Sequence, residues 1–396
     1  MDDRAPADLP LIALHPVADR HHGWAALLLQ APCDRDVLSR LFGELGLFNA
    51  LGHLPCIVRV PDITECLPDA ADFLPTERVW LSVPTAVCAD PARAADMLAL
   101  RHMGFPLMAE GLAATPNPVF PPGAVQSVAL AYPDQAMAPA AAPLLFGQPG
   151  PHLATGVETP GEFSRCRDAG FHWFAGNYPL HPDAVPLPSG TTHKALLLRL
   201  LALVAIDADV HDLEEILKQD AHLSYQLLRL VNSVAFSLST KIASFNQAIT
   251  MLGRRQLQRW LQLLLYARSP GAETNPLMPR AALRAQLMET LAGRLGGSRE
   301  MQDEAFMVGI FSLLEHLLQM DMRGIVSPLN LADEVSGALL GRQGSLGHLL
   351  HLVEQAELGN GPALAAALAA VGLDNRRWTA ALIDAYHWAI RVSQEA

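Results

Sequence analysis

Two glutamates stand at the ends of apolar runs in the first part of the chain. Glu110 closes the run 105–109, and Glu158 follows the run 152–157. Carboxylates in such places can hold divalent cations. Cutting a phosphodiester with two metals, however, takes several converging anionic ligands and a base. The other runs end in Gln30, Pro61 and Pro84. Two glutamates cannot complete that set, so the spacing predicts no metal centre, no cofactor and no hydrolysis.

Other groups with chemical potential are sparse. His211-Asp212 is the one His-Asp pair, and it stands just before a helical stretch where Asp212 is expected to cap. His348 and His351 share a helix face, but no carboxylate or Cys nearby completes a zinc set. His21-His22 is a turn-like pair. Arg254, Arg255 and Arg259 form a basic patch that reads as a solvated helix face or as a contact for phosphate or an acidic partner. No phosphate-cradling P-loop, nucleophile elbow or dinucleotide fingerprint occurs.

The elements that must position these groups fall into two grammars. Short apolar runs at 11–14, 24–29, 56–60, 79–83, 105–109, 125–131, 144–146 and 152–157 alternate with helical stretches at 34–49, 91–102 and 162–169. Runs that are apolar throughout predict strands buried on both faces, and β-then-α order predicts a parallel sheet or barrel. The Pro- and Ala-rich stretches 115–123 and 138–143 fall where crossover helices belong, which predicts a truncated, irregular barrel. A linker with several prolines spans 182–193. Beyond it the chain reads as helix throughout, with capping boxes at Asp212/Glu215 and Ser244/Gln247 and a left-handed cap at Gly253. Ser327 and Pro328 read as a helix start. The expected fold is therefore α/β plus all-α: a barrel at 1–181, the linker, and a helical domain at 194–396.

With 396 residues, 51% of them hydrophobic, the chain is long enough for two such domains and too apolar for wholesale disorder. Its longest apolar stretches are shorter than the roughly 20 residues that span a bilayer. Residues 1–10 lack the cationic and apolar segments of a secretory signal, so a cytoplasmic location is expected. The net charge of −12 comes almost wholly from the first 190 residues, with 10 basic and 20 acidic side chains, against 18 and 20 in the rest. That balance argues against nucleic acid as a partner. Cys33, Cys56, Cys66, Cys88 and Cys166 form no C-x-x-C pair and read as reduced, inert thiols.

Residues 223–253 (LSYQLLRLVNSVAFSLSTKIASFNQAITMLG) closely resemble the signature of the HDOD domain, an all-α signalling relative of the HD phosphohydrolases. Asn232, Ser233, Gly253 and Trp260 all match, and the likeness continues through 257–264 and 306–314. It implies that Ser312 and Leu313 occupy the places where HD enzymes carry their metal-binding His-Asp pair. Trp260 is expected to anchor the core.

The first part is similar to a degenerate EAL domain, the cyclic di-GMP phosphodiesterase barrel. The likeness rests on 13–29 and on the motifs at 156–159, 170–171 and 174–176. It places Ala25 where the motif has a metal-binding glutamate and Leu29 where it has a substrate arginine. Glu110-Gly111 replaces paired aspartates, Thr155 a further glutamate and Ala175 a glutamine; Glu158 matches. EAL followed by HDOD resembles a bacterial signalling family whose members are mostly non-catalytic regulators. The resemblance implies protein–protein signalling with other signalling proteins or in a homo-oligomer, without enzymatic activity and without tight binding of cyclic di-GMP. A cyclic di-GMP receptor that binds without hydrolysis is the alternative. An HD-type hydrolase using His211, His222 or His316 is a further rival.

Overall fold

The computed structural model describes residues 9–66, 70–112, 118–181, 275–329 and 331–395, with short stretches at 199–200, 202–203, 208–209, 212–213, 258–259, 262–263 and 266. The chain forms two compact units, Met1–Ala184 with Ala356–His387, and Val185–Gln355 with Trp388–Ala396.

The first unit is built on eight strands: β1 Ala13–Ala18, β2 Trp24–Gln30, β3 Cys56–Arg59, β4 Val79–Pro84, β5 Leu107–Glu110, β6 Ser127–Ala131, β7 Leu153–Thr155 and β8 Trp173–Ala175. They close in sequence order into a barrel, which leaves no open edge. β1 runs antiparallel to both β2 and β8, and every other neighbouring pair is parallel. The exception follows from the chain. Asp19 accepts from the amides of His21 at 2.7 Å and Gly23 at 3.0 Å, closing a turn too short for the crossover that parallel strands need.

The runs are apolar throughout because both faces of the barrel wall are buried. Val17, Ala26, Leu28, Ile57, Met108, Ala129, Leu153 and Ala175 fill the interior with Trp80 and Trp173. Those two indoles meet edge to face with centroids 5.2 Å apart. The alternate residues Val128, Leu130, Ala154 and Phe174 turn outward onto Leu144, Leu145, Phe163 and Cys166.

The barrel and the helices described from Leu277 onward match the expected fold, with local differences. Residues 144–146, expected as a strand, lie in the helix Ala141–Gly147. Three apolar residues carry no periodicity to separate the two states. The eighth strand, Trp173–Ala175, is missed for the same reason. Asp34 caps the helix Arg35–Ser39 by accepting from the Val37 amide, as its position suggests. Thr159 and Glu162 form a reciprocal capping box on Pro160–Asp168.

The expected division assigned 356–387 to the helical domain, whereas in the structure these residues pack with the barrel. Three side chains on one face of the helix Asn375–Glu395 bond to the backbone leading into and through β1. Asn375 Nδ2 donates to Leu9 O at 2.9 Å, Trp378 Nε1 to Ile12 O at 3.2 Å and the Tyr386 hydroxyl to Leu14 O at 2.6 Å. An amphipathic stripe announces that a face is covered, not by which part of the chain.

In the second unit the helices Leu277–Arg294 and Arg299–Phe311 lie against each other at Gly309. A Cβ on Gly309 would fall 2.5 Å from Ala285 Cα, so the approach needs glycine. The start expected at Ser327-Pro328 differs. Ser327 Oγ donates back to Arg323 O at 2.8 Å, residues Ser327–Leu329 make one 3₁₀ turn, and the next helix begins at Asp333. The fixed φ of proline suits that turn as well as a first helical position.

Buried on the barrel, His152 accepts a bond from the Val128 amide at Nδ1, 3.3 Å away. Burial, and then the neighbouring His172, hold its pKa below the usual value of 6.5. The unfolded chain therefore takes up this proton at a higher pH than the folded one. The stabilisation is complete above pH about 6.5 and is lost as pH falls below it. Melting temperature is expected to drop between pH 7.5 and 5.5, with a shallower drop in His152→Gln. An unchanged slope in that variant would remove His152 from the account.

Candidate functional site

Residues that end β2 to β8 line one rim of the barrel, the rim at which parallel α/β barrels bind ligands. Glu110 is the last residue of β5 and Arg59 the last of β3. Ile57 and Met108, two positions earlier on each strand, face the interior, so Arg59 and Glu110 open on the mouth. Arg59 pairs in register with Ser82 of β4, which lies between the two charged strands. The outcome is one compact cluster. Arg59 Nε lies 2.9 Å from Glu110 Oε1, and Ser82 Oγ donates to Glu110 Oε2 at 2.8 Å. The Thr85 hydroxyl donates to Gly111 O at 2.5 Å, tying the loop after β4 to the loop after β5. Further round the rim His15 Nε2 and Gln30 Oε1 are 3.0 Å apart.

Glu158 is not part of that cluster. It is exposed, its Oε1 accepts from the Asn177 amide at 3.4 Å, and its own amide donates to Glu162 Oε2 at 2.7 Å. Among the described residues the two glutamates share no partner. Among the described residues no three His, Cys, Asp or Glu come together as a metal-holding group. Glu110 Oε2 accepts from Ser82 and Oε1 lies against the Arg59 guanidinium, so the described rim residues do not fit a two-cation centre.

The structure also shifts one element of the resemblance. Ala26 and Leu28 face the interior, so Ala25 and Leu29 lie on the outer face of β2 and Gln30 takes its rim position. The places assigned to the motif's glutamate and arginine therefore do not open on the mouth.

In the helical unit, Ser312 and Leu313 are buried. Arg284 Nη1 donates to Ser312 Oγ at 2.9 Å, and Ser312 Oγ donates to Gly309 O at 2.7 Å. Tyr266 donates to Ile310 O at 2.7 Å, and burial pushes its phenol pKa up. A guanidinium thus stands beside the residue that takes a metal-ligand place in the HD comparison.

Arg259 does not belong to an open basic patch. Its side chain is 16% exposed, it pairs with Glu289 and, at 3.3 Å, with Asp303, and its guanidinium lies 4.6 Å from the centroid of the Phe306 ring. Arg254, Arg255, Asn232, Ser233, Gly253 and Trp260 lie outside the described residues, as do His211 and His222. His348 and His351 are exposed side by side on Gly344–Glu357. His22 is drawn inward, stacked on Phe163 with its Nδ1 3.1 Å from the Tyr178 hydroxyl. Burial pushes the thiols of Cys56 and Cys88 up to about 12 and that of Cys166 up to about 11, so these three are unreactive thiols at neutral pH. No single helix among the described residues is long and apolar enough to cross a membrane.

Comparison with known proteins gives the family description HDOD domain for residues 192–323. The chain is 31% identical over 237 residues to the cyclic di-GMP phosphodiesterase CdgJ of Vibrio cholerae, an alignment covering 60% of this chain and 55% of that one. It is 33% identical over 212 residues to the uncharacterised protein YuxH of Bacillus subtilis, covering 52% and 51%. The chain spans about half the length of the curated relatives it matches. Among solved structures, the EAL domain of Mycobacterium smegmatis DcpA aligns over 42% of this chain and 89% of its own, at 16% identity and a TM-score of 0.34. The expectation that the chain is no enzyme is overturned here: a relative sharing 31% of aligned residues carries the name of a phosphodiesterase. Residues 192–323 are an HDOD domain, and in the chain they follow a closed eight-stranded barrel.

Proposed function

We propose that this chain is a regulatory protein of cyclic di-GMP signalling in which the barrel is the sensing part and the helical unit carries the output through contacts with other signalling proteins. The observation behind it is the joining of an HDOD domain to a barrel in a chain similar to a protein named for cyclic di-GMP. Arg254 and Arg255 are the basic residues offered for partner contact, since Arg259 is committed to Glu289 and Asp303 within its own unit. A photo-reactive cross-linker placed at position 255 of the full chain in cells tests this. A discrete adduct with a second protein is expected; products confined to the chain itself would count against the reading.

A second reading, hydrolysis of cyclic di-GMP, is favoured by the 31% identity to CdgJ. Its test is product release by the full, metal-replete chain. Turnover lost in Glu158→Ala would support it, and the absence of turnover would reject it.

A further inference from the structure

Glu110 is the rim carboxylate that a divalent ion would seek, yet both of its oxygens are taken. A cation docking there would have to displace the Arg59 guanidinium at 2.9 Å and the Ser82 hydroxyl at 2.8 Å. The positive charge of Arg59 at Oε1 and the hydrogen bond from Ser82 at Oε2 together compensate the carboxylate without an ion from solution.

Arg59 is engaged on one edge only. A guanidinium has five N–H donors in a plane, and it is the Nε side of Arg59 that lies against Glu110, 2.9 Å from Oε1, which leaves the four donors on the Nη nitrogens. Among the described residues neither Nη has an acceptor, and the side chain is 45% exposed. That outer edge, with its parallel donors, matches the spacing of two oxygens on one phosphorus. The alternation that sends Ile57 inward turns Arg59 toward the mouth, not toward the outer face of the barrel.

We propose that Arg59 is the resident cation of the barrel mouth: it stands against Glu110 where a metal ion would, and its outer edge binds a phosphate-class oxyanion with no divalent ion. For the identity of the ligand this rests on the cyclic di-GMP reading, because a phosphodiester is the oxyanion that nucleotide presents. Glu110, held by the Ser82 hydroxyl, serves as the positioning residue that keeps the guanidinium at the mouth.

Calorimetry with cyclic di-GMP on the full chain, in excess EDTA and again in magnesium, tests the proposal. The dissociation constant is expected to agree within about twofold between the two buffers. Loss of a charge-assisted pair predicts about tenfold or greater weakening in Arg59→Ala, with Arg59→Lys in between because it keeps the charge but not the fork. Arg59 is half exposed, so both variants are expected to fold, and their far-ultraviolet circular dichroism checks this. Binding only in magnesium, or binding in EDTA that Arg59→Ala leaves unchanged, would overturn the proposal. Absence of binding in both buffers would overturn it too, while the signalling reading would still be judged by its cross-linking test.

Discussion

Trp378→Ala is expected to destabilise the barrel unit by about 3–5 kcal/mol, the range for removing a buried tryptophan. Trp378 heads the fully buried side chains by volume, and its indole N–H satisfies the carbonyl of Ile12 just ahead of β1. The variant opens a cavity and also leaves that carbonyl unpaired. β1 is the antiparallel strand through which the barrel closes on β2 and β8. Loosening its approach should therefore be felt at closure. Amide exchange in Ala13–Ala18 should accelerate together with the fall in unfolding midpoint. Trp378→Phe keeps most of the volume and loses only the donor, so about 1–2 kcal/mol is expected. A shift below about 1 kcal/mol for the alanine variant would show that 356–387 do not support the barrel.

Gly309→Ala should destabilise the helical unit by about 1–3 kcal/mol, more if the backbone cannot yield. The added carbon would meet Ala285 Cα at 2.5 Å and Ala285 N at 2.6 Å. Both are backbone atoms, so one helix must slide. The same slide would move Gly309 O, which holds Ser312 Oγ and through it Arg284. Chemical denaturation, with tryptophan fluorescence as the probe, checks the size. A neutral Gly309→Ala would mean that the two helices have room to separate.

Much of the barrel is legible in the chain because its strands are apolar on both faces. The run at 24–29 lies within Trp24–Gln30, and the run at 79–83 falls one residue short of Val79–Pro84. What escapes is whatever is too short or too distant. Trp173–Ala175 has too few residues for a period to show. The cover of β1 by Trp378 and Tyr386 is a pairing of the two ends of the chain, which no local pattern announces. The rim follows the same logic. Glu110 and Glu158 stand out as carboxylates at run ends, but their partners depend on register between strands. The signal that could have exposed Arg59 is its place in the otherwise apolar run 56–60: a charge in a buried strand needs a partner or an opening.

The two units share one device. In the barrel Arg59 meets Glu110, and in the helical unit Arg284 meets Ser312. Each guanidinium stands beside a residue, Glu110 or Ser312, to which the family resemblance assigns a metal-ligand place. An arginine side chain brings a permanent positive charge with fixed donor geometry, and it needs no ion from solution.

Titration of the purified full chain with manganese, followed by electron paramagnetic resonance, tests this substitution of arginine for metal most directly. The free-ion signal is expected to rise in proportion to added manganese from the start, and Glu110→Gln should give the same trace. Uptake of two manganese ions per chain, abolished in Glu110→Gln, would contradict it.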